Sequence, residues 1–277
     1  MNTSLYISNG ALQAYQQRLD TVSYNIANVN TVGYKQREAS FAENLATEVD
    51  NQPNRDEEIG RRSPHEIRVG YGARLGQTSI NMKQGGAKET GQPFDIMVEG
   101  DGLFVVSDET GALRYTRDGA FKQSPAEEED FYYLVTAQGD YLLDDFGEPL
   151  EIDTGYDVKL LENGDIQLTN QADPTDAWIH WQRIGLVQVN NPQLLRSVGD
   201  NQYALDEEAI SAGAVEPLDL DDADAPKLRQ GFLETSNVNI AKEMSELLIS
   251  QRGFQMNARA VSFADQMLGV ANGIINR

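Results

Sequence analysis

The chain has 277 residues, long enough to bury a substantial core in one large or two ordinary domains. It carries 44 Asp and Glu against 22 Lys and Arg, a net charge of -22, which argues against nucleic acid or an anionic membrane surface as partner. There is no cysteine, so disulfides, thiolate metal sites and a cysteine nucleophile are excluded.

The charge is unevenly placed. Residues 1–45 hold Asp20, Glu38 and Glu43 against Arg18, Lys35 and Arg37, and residues 234–277 hold four acids against four bases. The whole excess therefore sits in 46–233, with 37 acids and 15 bases. Two explanations fit: a solvated acidic middle, or ends kept neutral because they crowd against other chains. The opening MNTSLYISNG has neither a basic nor an apolar region of the signal-peptide kind, so a cleaved secretory signal is not expected. No stretch approaches the ~18 apolar residues of a membrane span.

The N-terminal segment predicts a helix. Leu5, Leu12, Leu19 and Ile26 recur every seven residues, with Ser8, Tyr15, Val22 and Val29 three positions on. That spacing marks a narrow coiled-coil stripe rather than a broad core-facing surface. Asn25, Asn28 and Asn30 then fall where apolar residues belong, and Gly33 is placed to end the helix at C′, with Tyr34 folding back on the last turn. The three amides are expected to bond to backbone groups at the helix end and to neighbouring copies, as a buried polar residue fixes register in a coiled coil.

Residues 50–66 are polar with Pro and Gly and read as a long connection. Beyond them, short apolar runs at Ile96–Val98, Leu103–Val106 and Leu113–Thr116 are split by Gly-Asp turns. FYYLVTAQGDYLLD predicts a hairpin around Gln138–Asp140, Asn163-Gly164 is the dipeptide of a type I′ hairpin turn, and AWIHWQRIGLVQVNN predicts a strand. The middle is thus all-β.

The C-terminal segment predicts a second helix, with Ile240, Leu247, Phe254, Val261, Leu268 and Ile275 spaced by seven. Its companion row, Met244, Gln251, Ala258, Asp265 and Asn272, is half polar. Ser236, Asn237 and Asn239 each stand where a cap is needed, and Glu243 suits the positive end of the helix dipole. The economical arrangement packs the two ends on each other, with the polar row facing further copies.

Enzyme chemistry finds little support. Two isolated histidines, His65 and His180, make neither a zinc site nor a triad. The acidic run Asp219–Asp224 fails the EF-hand template, because Asp224 stands at the glycine position and Gln230 where the bidentate Glu belongs. EGDGLF lacks the spacing of a dinucleotide loop and reads as a turn. A calcium-dependent binding module and a polysaccharide-cleaving enzyme remain as alternatives from other classes.

NIANVNTVGYK with GFLETSNVNIAKEM and QRGFQMNARAVSFADQML resembles the terminal signatures of bacterial flagellar rod and hook proteins, closest to the distal rod. EGDGLFVV, RYTRDGAF and LVTAQGDYLL match internal motifs of that family, so the resemblance runs nearly end to end. Two segments depart from it: the acidic Glu127–Asp130, where the family has a short turn, and the connection before Gly70 and Gly72, which leaves distal against proximal rod or hook open.

The resemblance implies an α+β fold. Residues 1–45 plus 231–277 would form a discontinuous helical coiled-coil axial domain, 46–90 an extended connection and 91–230 a central all-β domain. It implies a structural subunit of the basal-body rod, not an enzyme and without cofactor or metal, polymerising helically into a hollow drive shaft between motor and hook. Its partners would be copies of itself, adjacent rod and hook proteins and the flagellar type III export apparatus, through which it would leave the cytoplasm for the extracytoplasmic basal body without a cleaved signal. The residues expected at subunit contacts are Leu5, Leu12, Leu19, Asn25, Ile26, Asn28, Asn30 and Gly33 from one end, and Asn237, Leu247, Phe254, Val261 and Leu268 from the other.

Overall fold

The computed structural model describes residues 2–43, 46–49, 67–70, 72–126, 130–170, 177–220, 222 and 225–275. His65, the connection 50–66, Glu127, Glu128 and Glu129 of the acidic segment, and two of the acids in the Asp219–Asp224 run, Asp221 and Asp224, lie outside the described residues. The fold is α+β, with an N-terminal helix, a C-terminal helix and a β-rich centre. Its contacts divide it into two units. One comprises residues 1–26, 37–79 and 240–277, the other 27–36 and 80–239, so the chain passes between them four times.

In the first unit the N-terminal helix spans Asn2–Ala27 and the C-terminal helix Ile240–Ile275. They run antiparallel, since Arg18 meets Glu246, Tyr15 meets Gly253, and Leu5 and Leu12 approach Val261. A ribbon of Arg37–Glu43 paired with Ala73–Ile80 covers another side of the N-terminal helix. There Phe41 packs on Tyr15 with ring centres 5.6 Å apart, and Ile7 lies against Gly72. Ala46–Val49 pairs antiparallel with Ile67–Gly70.

The second unit is built on an antiparallel sheet. Its strands run in the order Glu151–Asp153, Phe131–Val135, Tyr141–Leu142, Leu103–Ser107, Leu113–Thr116, Gln202–Ala204 and Arg196–Gly199. A smaller sheet is formed by Tyr156–Leu160, Asp165–Asn170 and Ala177–Arg183. Alternation along the strands sends Phe104 and Val106, Ile166 and Leu168, and Leu150 and Ile152 into one core with Leu142, Ile184 and Leu228. Each such side chain contributes about 1.5–3 kcal/mol by leaving water. The returning chain adds two short ladders, Lys227–Gln230 on Ile96–Glu99 and Phe232–Glu234 on Ala87–Glu89.

Several sequence expectations are corrected. The first helix stops at Ala27, so Gly33 is not its C′ residue and Val29 lies beyond the helix. Thr31 instead turns the chain by bonding the carbonyl and side chain of Asn28, and Gly33, at φ +65°, ends that turn. At Asn163-Gly164 only the glycine has positive φ, and Leu161 N–H donates to Asp165 C=O, which leaves a three-residue loop rather than a type I′ turn. Positive φ at two successive residues occurs at Asp200-Asn201, whose hairpin joins Arg196–Gly199 to Gln202–Ala204. The stretch AWIHWQRIGLVQVNN forms two strands, Ala177–Arg183 and Leu186–Val189, in different sheets. Gly185 divides them, lying so close to the Asp144 carbonyl that a Cβ would sit 2.3 Å away.

Candidate functional site

The motif-bearing segments of the second unit converge on a buried ionic clasp. Glu234, at the end of a strand, accepts from Lys35 Nζ at 2.7 Å and from Gly85 N–H at 2.7 Å through Oε1, and from Arg117 Nε at 2.5 Å through Oε2. All three side chains are almost fully shielded from solvent. Lys35 spends its other donors on the carbonyls of Met82 and Lys83. Arg117 spends its own on Val98, Gly100 and Gly102. The EGDGLF turn is thus a carbonyl cradle for a guanidinium.

Two cations share one carboxylate away from water. Burial opposes ionisation of Glu234, but the Arg117 and Lys35 charges outweigh it and hold its carboxyl below the usual range. Burial is the largest influence on Lys35 and, with the Arg117 charge, pushes its ammonium down although Glu234 favours it. A polar cavity of about 140 Å³ adjoins Lys35 and Arg117. All three donors of Lys35 are committed, and Arg117 directs four of its five N–H groups to Glu234 and the three carbonyls. The clasp holds segments distant in the chain together, Lys35 and Glu234 being 199 residues apart.

Beside it, Asn237 accepts from Gln36 N–H at 2.7 Å and donates to the carbonyls of Asn81 and Lys83, while Asn81 N–H donates to Gln36 C=O. One amide therefore ties three passes of the chain. Asn237 is taken up in this way, and Asn239 is the residue immediately before the first helical one. Gly33 donates its N–H to Glu234 C=O at 2.8 Å, and a Cβ there would lie 2.6 Å from Asp118 N.

In the first unit Asn25 is buried, and its amide bonds Arg37 C=O and N–H and Glu243 Oε2. Glu243 sits in the first turn of the C-terminal helix, as the dipole favours. Leu5, Leu12, Leu19 and Ile26 are half-buried, as are Leu247, Phe254, Val261 and Leu268. Asn28 is half-buried, and Asn30 is exposed. Gly253 packs against the Tyr15 ring of the other helix.

His180 is a buried packing residue between Trp178 and Trp181, its ring pushed toward the neutral form mainly by burial. Among the described residues no group of three or more His, Asp or Glu is placed to hold a metal ion. No described helix is long and apolar enough to cross a membrane.

Sequence reasoning missed the roles of Lys35, Arg117 and Glu234, although all three lie within quoted motifs. Their signal was charge set in apolar-glycine surroundings, VGYK and GFLET. It also missed a second seven-residue row on the C-terminal helix. Ile249, Met256, Phe263 and Val270 are each between 58 % and 65 % exposed. Helical rotation of about 100° per residue puts this row some 200° from Leu247, Phe254, Val261 and Leu268. A helix apolar on two opposite faces, joined to a unit closed by a buried clasp, defines a structural protein whose chemistry is association.

The comparisons with known proteins agree with that class. Residues 5–35 match the family model described as flagella basal body rod protein. Residues 97–173 match the flagellar hook protein FlgE/F/G D1 domain, and residues 229–274 the flagellar basal body rod FlgEFG protein C-terminal. The chain is 34 % identical to the flagellar hook-basal body complex protein FlhP of Bacillus subtilis over 99 % of its own length and 100 % of the relative's. It is 31 % identical to the flagellar basal-body rod protein FlgG of Borreliella burgdorferi over 99 % of both chains, and 28 % identical to the FlgG of B. subtilis over 97 % of both. The chain belongs to the flagellar basal-body rod and hook family.

Proposed function

We propose that this protein is a structural subunit of the flagellar basal-body rod, in its distal part, polymerising helically into the hollow shaft that carries torque from motor to hook. The observation that carries this reading is the C-terminal helix. Its inner row is half-buried, with Val261 beside Leu5 and Leu12 of the N-terminal helix, while its outer row is 58–65 % exposed. Burial of such a row requires further chains.

On this reading, residues 1–45 and 231–277 are the axial coiled-coil domain, 46–90 the connection and 91–230 the outward-facing β domain. Leu5, Leu12, Leu19, Ile26, Leu247, Phe254, Val261 and Leu268 form the seam that neighbouring copies complete. Asn25, Asn28, Asn30, Gly33 and Asn237 set the path of the chain at its edge. Adjacent rod and hook proteins continue the shaft at either end, and the flagellar type III apparatus exports the chain without cleaving a signal.

The test is assembly of the purified chain, followed by sedimentation and electron microscopy. Leu19→Asp and Phe254→Asp should block filaments while leaving the β unit's thermal transition in place. Filaments from both variants at the wild-type level would refute the reading.

A further inference from the structure

We infer that subunits join head to tail by seating the outer row of one C-terminal helix in a notch between the two helices of the next copy. This rests on the polymerising role proposed above and names the contact that drives it. The row is Ile249, Met256, Phe263 and Val270. The notch is an open, mostly apolar depression of about 390 Å³, lined by Leu5, Tyr6, Asn9, Leu12 and Val261, with the Tyr6 ring 74 % exposed at its rim.

Three observations select a second copy as the occupant. First, the repeats match: Leu5 and Leu12 are seven residues apart, as are Met256 and Phe263, so successive knobs meet successive holes about 10 Å apart along the helices. Second, charge permits the approach. Residues 2–17 contain no Asp, Glu, Lys or Arg, so the bases flanking the row, Arg252 and Arg259, meet no like charge there. Third, row and notch are different patches of one molecule. Such a contact is heterologous, leaves a free row and a free notch at the ends of any oligomer, and continues as a helix unless the rotation closes a ring. A face that paired with itself would stop at a dimer.

The absence of native cysteine makes the contact testable by oxidation. Chains bearing Tyr6→Cys and chains bearing Phe263→Cys, assembled together, should yield a crosslinked pair that neither chain forms alone, and the double variant a ladder of higher species. Phe263→Asp and Met256→Asp should lower the polymer fraction at least about tenfold, the effect of a single lost anchor. The monomer's circular dichroism should be unchanged, because both side chains are exposed. Crosslinks of Phe263→Cys to itself without the mixed pair would overturn the head-to-tail contact, as would wild-type assembly of both Asp variants. Either result leaves filaments, and with them the proposed function, intact. A wild-type chain that never assembles defeats both.

Discussion

The side-chain amide of Asn25 pairs with Arg37 as a neighbouring strand would, accepting its N–H at 3.0 Å and donating to its C=O at 2.9 Å. The first residue of the ribbon thereby finds its partner on a helix rather than on a strand. The same amide reaches Glu243, so one residue ties the N-terminal helix, the ribbon and the C-terminal helix. Asn25→Ala is expected to cost about 1–3 kcal/mol, because buried polar groups lose their partner. Asn25→Asp should cost at least as much, since a carboxylate then faces both the Arg37 carbonyl and Glu243. Amide exchange at Arg37 measures this directly. Protection in Asn25→Ala equal to wild type would show that the pairing carries no weight.

Gly33 is under two constraints. Its φ of +65° disfavours any Cβ, and the Arg117–Asp118 backbone occupies the space a Cβ needs. Gly111 shares the first constraint at φ +82° but has open space around it. Gly111→Ala should therefore cost about 1–2 kcal/mol, and Gly33→Ala about 1–3 kcal/mol beyond that. Thermal melts of the two variants separate conformational strain from collision, and equal losses would contradict the close approach.

Glu234 gives stability a defined pH dependence. Its carboxyl is depressed in the folded chain, so its contribution is complete above the ordinary glutamate value of 4.5 and is lost as pH falls through the lower folded value. Lys35, depressed by burial, acts in the opposite window: the unfolded chain holds its proton longer, so stability from this group rises as pH approaches 10.5. Glu234→Gln leaves two buried cations without their carboxylate and should cost about 3–5 kcal/mol at neutral pH. It should also flatten the acid limb of the stability curve relative to wild type. An unchanged acid limb would mean that the clasp does not titrate with folding.

What could be read from the sequence was local. Seven-residue spacing announced both helices, and Leu103–Val106 and Leu113–Thr116 announced their strands, because period and turn residues lie within one short window. The clasp was hidden because Lys35 and Glu234 are 199 residues apart, and no window shows that a lysine will find a buried carboxylate. Dipeptide rules failed where tertiary registry decided the turn. Asn163-Gly164 yielded to the pairing of Leu161 with Asp165, whereas Asp200-Asn201, without glycine at either central position, takes the left-handed turn. The outer row at Ile249, Met256, Phe263 and Val270 had the same period as the inner one. It passed unnoticed because one apolar face suffices for a helix on its own core, and a second face has meaning only once the partners are counted.

The C-terminal helix offers a contrast between two of its own glycines. Helix propensity alone favours alanine over glycine by about 1 kcal/mol at an interior position. At Gly269 nothing lies within 4 Å of a new Cβ, so Gly269→Ala should follow propensity and stabilise the helix. At Gly253 the new Cβ would lie 2.5 Å from two carbons of the Tyr15 ring. That ring is pinned in turn by Phe41, over which Arg18 is stacked at 5.1 Å. Yielding would disturb the N-terminal helix and the ribbon together, an overpacking cost of about 1–3 kcal/mol that outweighs the propensity gain. Gly253→Ala should therefore lower the helical melting transition while Gly269→Ala raises it. If both variants raise it equally, Tyr15 and Gly253 are not in contact, and the antiparallel register of the two helices must be redrawn.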